Sequence, residues 1–139
     1  MKFFRVALFV ALGLVLAPLW AGETPAPSDA EVYFISPQDG DVISGPVTVK
    51  FGLKGMGVAP AGVDKPNTGH HHLIIDADLP NFDQPVPADD NHKHFGGGQT
   101  ETVLNLKPGV HTLQLILGDK VHIPHNPAIT SKKITITVK

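Results

Sequence analysis

The sequence contains no cysteine. No disulfide can staple the fold in an oxidising compartment, no lipoprotein acylation can follow export, and thiolate is removed from any set of metal ligands. Arginine is nearly as scarce: Arg5 stands alone, inside the N-terminal apolar stretch. Outside that stretch nothing repeats with a helical period, no internal repeat is visible, and no Ser-His-Asp or paired-carboxylate arrangement stands out. These absences turn the reading away from helical folds, nucleic-acid binding and the commonest hydrolytic chemistries.

The N-terminus carries Lys2 and Arg5, then "VALFVALGLVLAPLW" and a small residue, Ala21. A positive n-region, an apolar run too short for a full membrane span and a small-residue end predict a signal peptide over 1–21. The expected destination is the periplasm or the outside of the cell. Removing it leaves nine Lys against thirteen acidic residues and a formal charge of −4. A mildly acidic surface without arginine fits neither a nucleic-acid partner nor, after cleavage, an anionic membrane. Residues 22–30, "GETPAPSDA", read as a flexible linker, and 31–139 as a single domain.

Within that domain, short β-rich runs alternate with turn residues. "EVYFI" (31–35), "GPVTVKFGL" (45–53), "HHLIID" (71–76), "ETVLNL" (101–106), "VHTLQLIL" (110–117) and "KKITITV" (132–138) are the expected strands. Their spacing predicts an all-β, immunoglobulin-like or Greek-key β-sandwich of about seven strands. Two connections, 54–69 and 77–100, are long enough to be functional or to hide a short extra strand. "LKPGVHTLQL" has the form of the corner where strands E and F of such a sandwich meet. His111 occupies the place often held there by a tyrosine that ties back to the corner backbone.

Eight histidines stand out. If 45–53, 71–76, 101–106, 110–117 and 132–138 are strands B, C, E, F and G, chain parity gathers seven of them at one end and leaves His111 at the other. Residues two apart on a strand share a face, roughly 6–7 Å apart at Cα. His70 and His72 therefore form one candidate pair, and His92 and His94 a second. His122 and His125, either side of Pro124, make a third. His71 faces the apolar side with Leu73 and Ile75 and is expected to be a buried ring hydrogen-bonded to backbone. All-imidazole ligation, with Asp90 or Asp119 as a possible carboxylate, suits copper first and zinc second. Met56 offers a single thioether. Because protonated imidazole does not bind metal, affinity is expected to fall as pH drops through about 6.5.

"GHHHLIID", "HKHFGGGQTET", "LKPGVHTLQLILGD" and "HIPHNP" together resemble the blocks of a family of small exported bacterial domains of unknown function. The resemblance covers roughly residues 50 to 138. It implies a secreted bacterial protein with a shared histidine-rich site and brings no established activity. A looser similarity is to copper/zinc superoxide dismutases, which are Greek-key sandwiches with an H-x-H strand. The missing cysteine pair and the loss of arginine speak against it. The sequence thus predicts an exported metal-binding module acting as carrier, buffer or sensor, whose partners are a metal ion and a second periplasmic protein. The alternatives are a structural or adhesive sandwich with hydrogen-bonded histidines and a dismutase-like copper enzyme.

Overall fold

The computed structural model describes residues 24–139. The expected signal peptide, 1–21, lies outside the described residues. Every regular element among them is a strand: β1 (Glu31–Ser36), β2 (Val42–Ile43), β3 (Val47–Lys54), β4 (Gly57–Val58), β5 (Thr68–Ile75), β6 (His92–His94), β7 (Glu101–Leu104), β8 (Gly109–Gly118) and β9 (Ile134–Val138). The six expected strands are present with ends moved by a few residues, and three short ones add to them. β4 lies in the first long connection and β6 in the second, where a hidden strand was one of the two expectations.

One sheet runs β1-β3-β7, and the other β2-β9-β8-β5-β4, with β6 also paired to β5. Placing strands A, B and E against G, F and C, with β6 continuing past C, is immunoglobulin-like order. Alternation builds the core. Val47, Val49 and Phe51 of β3 and Val32 of β1 point inward and meet Leu73 and Ile75 of β5, Leu113, Leu115 and Leu117 of β8, and Ile134, Ile136 and Val138 of β9.

Unlike an ordinary half-solvated strand, β5 is buried on both faces from Gly69 to Ile75. Its outer face carries His70, His72 and Ile74. Ile74 packs with Ile116 and with Val86 from the long 77–91 connection, which folds back over the sheet. Val86 N donates to His122 O at 2.9 Å, joining that connection to the β8–β9 loop.

The segment expected to be a flexible linker is bonded to the domain over its described part. Ala26 N donates to Asn126 O at 3.0 Å and Asn126 N to Thr24 O at 2.9 Å. The Thr24 hydroxyl donates to Asp119 Oδ2 at 2.6 Å. A Pro- and Ala-rich composition signals the lack of local structure, but it is blind to a tertiary surface that satisfies the backbone.

Candidate metal centre

Four histidines meet on the outer face of the larger sheet: His70, His72, His94 and His122 each offer a ring nitrogen, all within 4.8 Å of one another. The strand ladder explains three of them. His72 pairs with His94 across β5 and β6, and His70 faces Gly118 across β5 and β8. Because side chains alternate, His70 and His72 project together, and the register places His94 beside His72. The fourth comes from the β8–β9 loop, where His122 adopts φ +70°.

The rings lie close, some pairs tilted and others edge to face. Centroids of His70 and His72 are 4.8 Å apart, those of His70 and His94 5.0 Å, and those of His94 and His122 4.7 Å. His70 Nε2 is 3.0 Å from His72 Nε2 and 3.2 Å from His122 Nδ1. That central nitrogen carries either one hydrogen or one lone pair, so it cannot make a full hydrogen bond to both neighbours in any neutral tautomer. A cation resolves the conflict by accepting a lone pair from each. An ion about 2.0–2.1 Å from four tetrahedral nitrogens sets them about 3.3 Å apart. The two short contacts are near that edge length, so the residues fit a metal ion.

Burial is graded. His70 and His72 are buried, His122 is half-buried and His94 is exposed, so the site has a dry floor and an open rim. Burial first, and then repulsion from His94 and His122, lowers the His70 pKa to about 4, against a smaller opposing pull from Asp119. Burial first, and then His70, His94 and His122, lowers that of His72 to about 3. His94 is also lowered, by desolvation and then by His122. The floor is therefore held as neutral imidazole, the form that binds metals. The outer nitrogens, Nδ1 of His70 and His72, are buried without a hydrogen-bond partner among the described residues.

Two glycines make room for the rings. A β-carbon at Gly118 would fall 2.8 Å from His72 Nε2 and 3.4 Å from His122 Cα. One at Gly96 would fall 2.6 Å from His94 Nε2.

The other two sequence candidates are not brought into this group. His92 stands opposite Ile74, one same-face step beyond His94, and its Nδ1 lies 2.8 Å from Asp89 Oδ1. His125 is buried, with Nε2 donating to Thr68 O at 3.1 Å and its ring filling the space that a side chain at Gly69 would need. Of the seven histidines expected at one end, four gather, and they do so on the sheet face rather than among the loop tips. The proposed extra ligands are elsewhere too. Asp90 is exposed, Met56 packs against the core, and both Asp119 oxygens are taken by protein donors.

His71 does face the core, 5.1 Å from the Phe51 ring, but neither of its ring nitrogens has a hydrogen-bond partner among the described residues. The expected backbone bond is missing because the pleat aims the ring into the apolar core, against Phe51. His111 sits at the far corner: its Nε2 donates to Lys107 O at 2.7 Å. Sequence reading missed Gly118 and the turn role of Asp119. The "ILGD" stop at the end of an alternating strand, a glycine followed by a side-chain acceptor, was the available signal.

A family model described as "Domain of unknown function (DUF4399)" matches residues 49–139. No curated protein matches the chain. Among solved structures, it is similar to the fibronectin(III)-like modules of Clostridium thermocellum CbhA, at TM-score 0.44 and 13% identity, covering 78% of this chain and 95% of that one. It is also similar to part of the endo-beta-1,4-mannanase from Thermotoga petrophila, at TM-score 0.47 and 18% identity. That alignment covers 80% of this chain and 20% of the mannanase.

Proposed function

The chain belongs to the DUF4399 family, and from the geometry of its own histidines we propose that it is an exported metal-binding module. Copper(II) is the first metal and zinc(II) the second, held by His70, His72, His94 and His122. The observation that carries this reading is the pair of short contacts at His70 Nε2, a nitrogen with two ring partners and capacity for one. All-nitrogen ligation without thiolate favours these two ions, and copper(II) binds such donor sets more strongly than zinc(II). Export rests on the N-terminal composition. A carrier, buffer or sensor role is supported by the exposed His94 at the rim, where an ion can be exchanged without opening the core.

Titration of the protein with copper(II) and zinc(II) tests the reading. One ion per chain is expected, lost in the His70→Ala/His72→Ala variant, with His92→Ala keeping the stoichiometry. Binding no tighter than that of an unrelated histidine-poor protein overturns it. An adhesive or purely structural role makes the opposite prediction, a melting temperature that neither metal nor chelator moves.

A further inference from the structure

The loop that carries His122 is closed by one buried side chain. Asp119 is 2% exposed, and its Oδ1 accepts from the amides of Val121 at 2.9 Å and Ile123 at 3.0 Å, the residues on either side of His122. The main chain closes the same turn. Asp119 N donates to Ile123 O at 2.8 Å, and His122 N donates to Asp119 O at 3.0 Å. The second carboxylate oxygen accepts the Thr24 hydroxyl at 2.6 Å, across 95 positions of sequence. Thr24 is anchored in turn through its carbonyl, which accepts from the amide of Asn126, three residues after Ile123.

His122 needs that closure. At φ +70° it occupies the left-handed region, which is unfavourable for a residue bearing a β-carbon. A loop free to relax returns to negative φ, and the imidazole then swings off the sheet face. Hydrogen bonds to a buried carboxylate are of the stronger, charge-assisted kind, and here they grip the two amides that bracket the strained residue. The result is visible at the ring, whose Nδ1 stands 3.2 Å from His70 Nε2.

We propose that Asp119 and Thr24 are positioning residues for His122: the carboxylate fixes the turn, and the N-terminal segment latches the carboxylate. The consequence for metal affinity rests on the metal-binding reading, whereas the consequence for the His122 ring does not.

The experiment compares wild type with Asp119→Ala, Thr24→Val, Thr24→Ser, His122→Ala and Asp119→Ala/His122→Ala. Zinc(II) affinity is measured by competition, the cobalt(II) visible spectrum reports coordination, and imidazole NMR resonances are recorded without metal. Asp119→Ala is expected to weaken zinc(II) by about 10–100-fold, the usual range for losing a group that orients a ligand. It should also change the cobalt(II) band as His122→Ala does. Thr24→Val should act in the same direction, more weakly, with Thr24→Ser restoring affinity.

In the His122→Ala background, removing Asp119 should cost nothing further, because both changes act on one ligand. An additive loss there, or wild-type affinity in folded Asp119→Ala and Thr24→Val, overturns the proposal. Should Asp119→Ala fail to fold, Thr24→Val keeps the carboxylate and decides alone. If wild type binds no metal, the metal reading fails by itself. The His122 resonances of the metal-free variants then judge the positioning role: a shift of His122, with any further change limited to the rings it touches, supports it, and an unmoved ring overturns it.

Discussion

Three consecutive histidines on one strand meet two different fates, and the pleat decides them. His70 and His72 project toward the candidate metal centre, while His71 turns into the core with both nitrogens unpartnered. A buried polar group without a partner costs about 1–3 kcal/mol, and burial alone lowers the His71 pKa to about 4. Exchanging it for an apolar residue of similar size removes that cost. His71→Leu is expected to stabilise the protein by about 1 kcal/mol in chemical denaturation and to leave metal stoichiometry unchanged. A loss of stability would show that the ring does something in the core that its contacts do not reveal. His111 is the opposite case. Its Nδ1 lies 2.7 Å from Asp76 Oδ2 and its Nε2 2.7 Å from Lys107 O. Neither acceptor has a proton to give, so both nitrogens are satisfied only in the imidazolium. The Asp76 bond first, and then the Lys107 bond, raise the His111 pKa. The stability that this cation contributes is complete below its unfolded value near 6.5 and is lost as pH rises through the raised folded value. His111→Gln should therefore destabilise the protein more at pH 6 than at pH 9, which melting curves at the two pH values will show.

At the scale of elements, the site depends on how closely backbone can approach a ring. Gly118 ends β8 opposite His70, and Gly118→Ala would press a methyl to within 2.8 Å of His72 Nε2. Gly57→Ala meets only the Thr68 Cγ2 at 3.6 Å and serves as the control. The first is expected to lower zinc(II) affinity at least about tenfold, because a ligand is displaced from its place. The second should leave it within error; equal affinities for both variants would remove His72 from the ligand set. Most strands were legible because their alternation is long: Val47, Val49 and Phe51 announce an inward face without any tertiary information. The H-x-H spacing of His70 and His72 was legible for the same reason. β6 was harder, since three residues give too short a period and its existence depends on pairing with β5. Register was illegible altogether. One same-face step along β6 separates His94, beside His72, from His92, beside Ile74, and nothing local to "HKH" distinguishes them. The His122 conformation was likewise hidden, because its positive φ is imposed by Asp119 and by an N-terminal segment whose composition reads as linker.

Three buried rings of β5 resist protonation together, two at the candidate metal centre and one in the core, so their pH response is collective. His70 and His71 titrate near 4 and His72 near 3 when folded, against about 6.5 for an unfolded chain. Well above pH 6.5 these rings are neutral in both states. Below it the unfolded chain takes up protons that the folded one refuses, so metal-free stability declines from pH 6.5 toward 4. The fall should flatten in a His70→Gln/His72→Gln variant. For metal binding the same depressed values have the reverse consequence. Four ordinary imidazoles would each lose about tenfold in available lone pairs between pH 7.5 and 5.5, or about ten-thousandfold together. His70 and His72 stay deprotonated across that interval, and the lowered value of His94 reduces its share. The sequence alone sets the threshold near pH 6.5; burial of the site floor moves it down. Zinc(II) affinity measured at pH 7.5 and 5.5 is expected to differ by no more than about a hundredfold. A drop approaching ten-thousandfold would mean that all four rings titrate as if in water. The buried floor would then be open to solvent in the metal-free protein, and the preorganised neutral cluster from which the metal reading follows would not exist before the ion arrives.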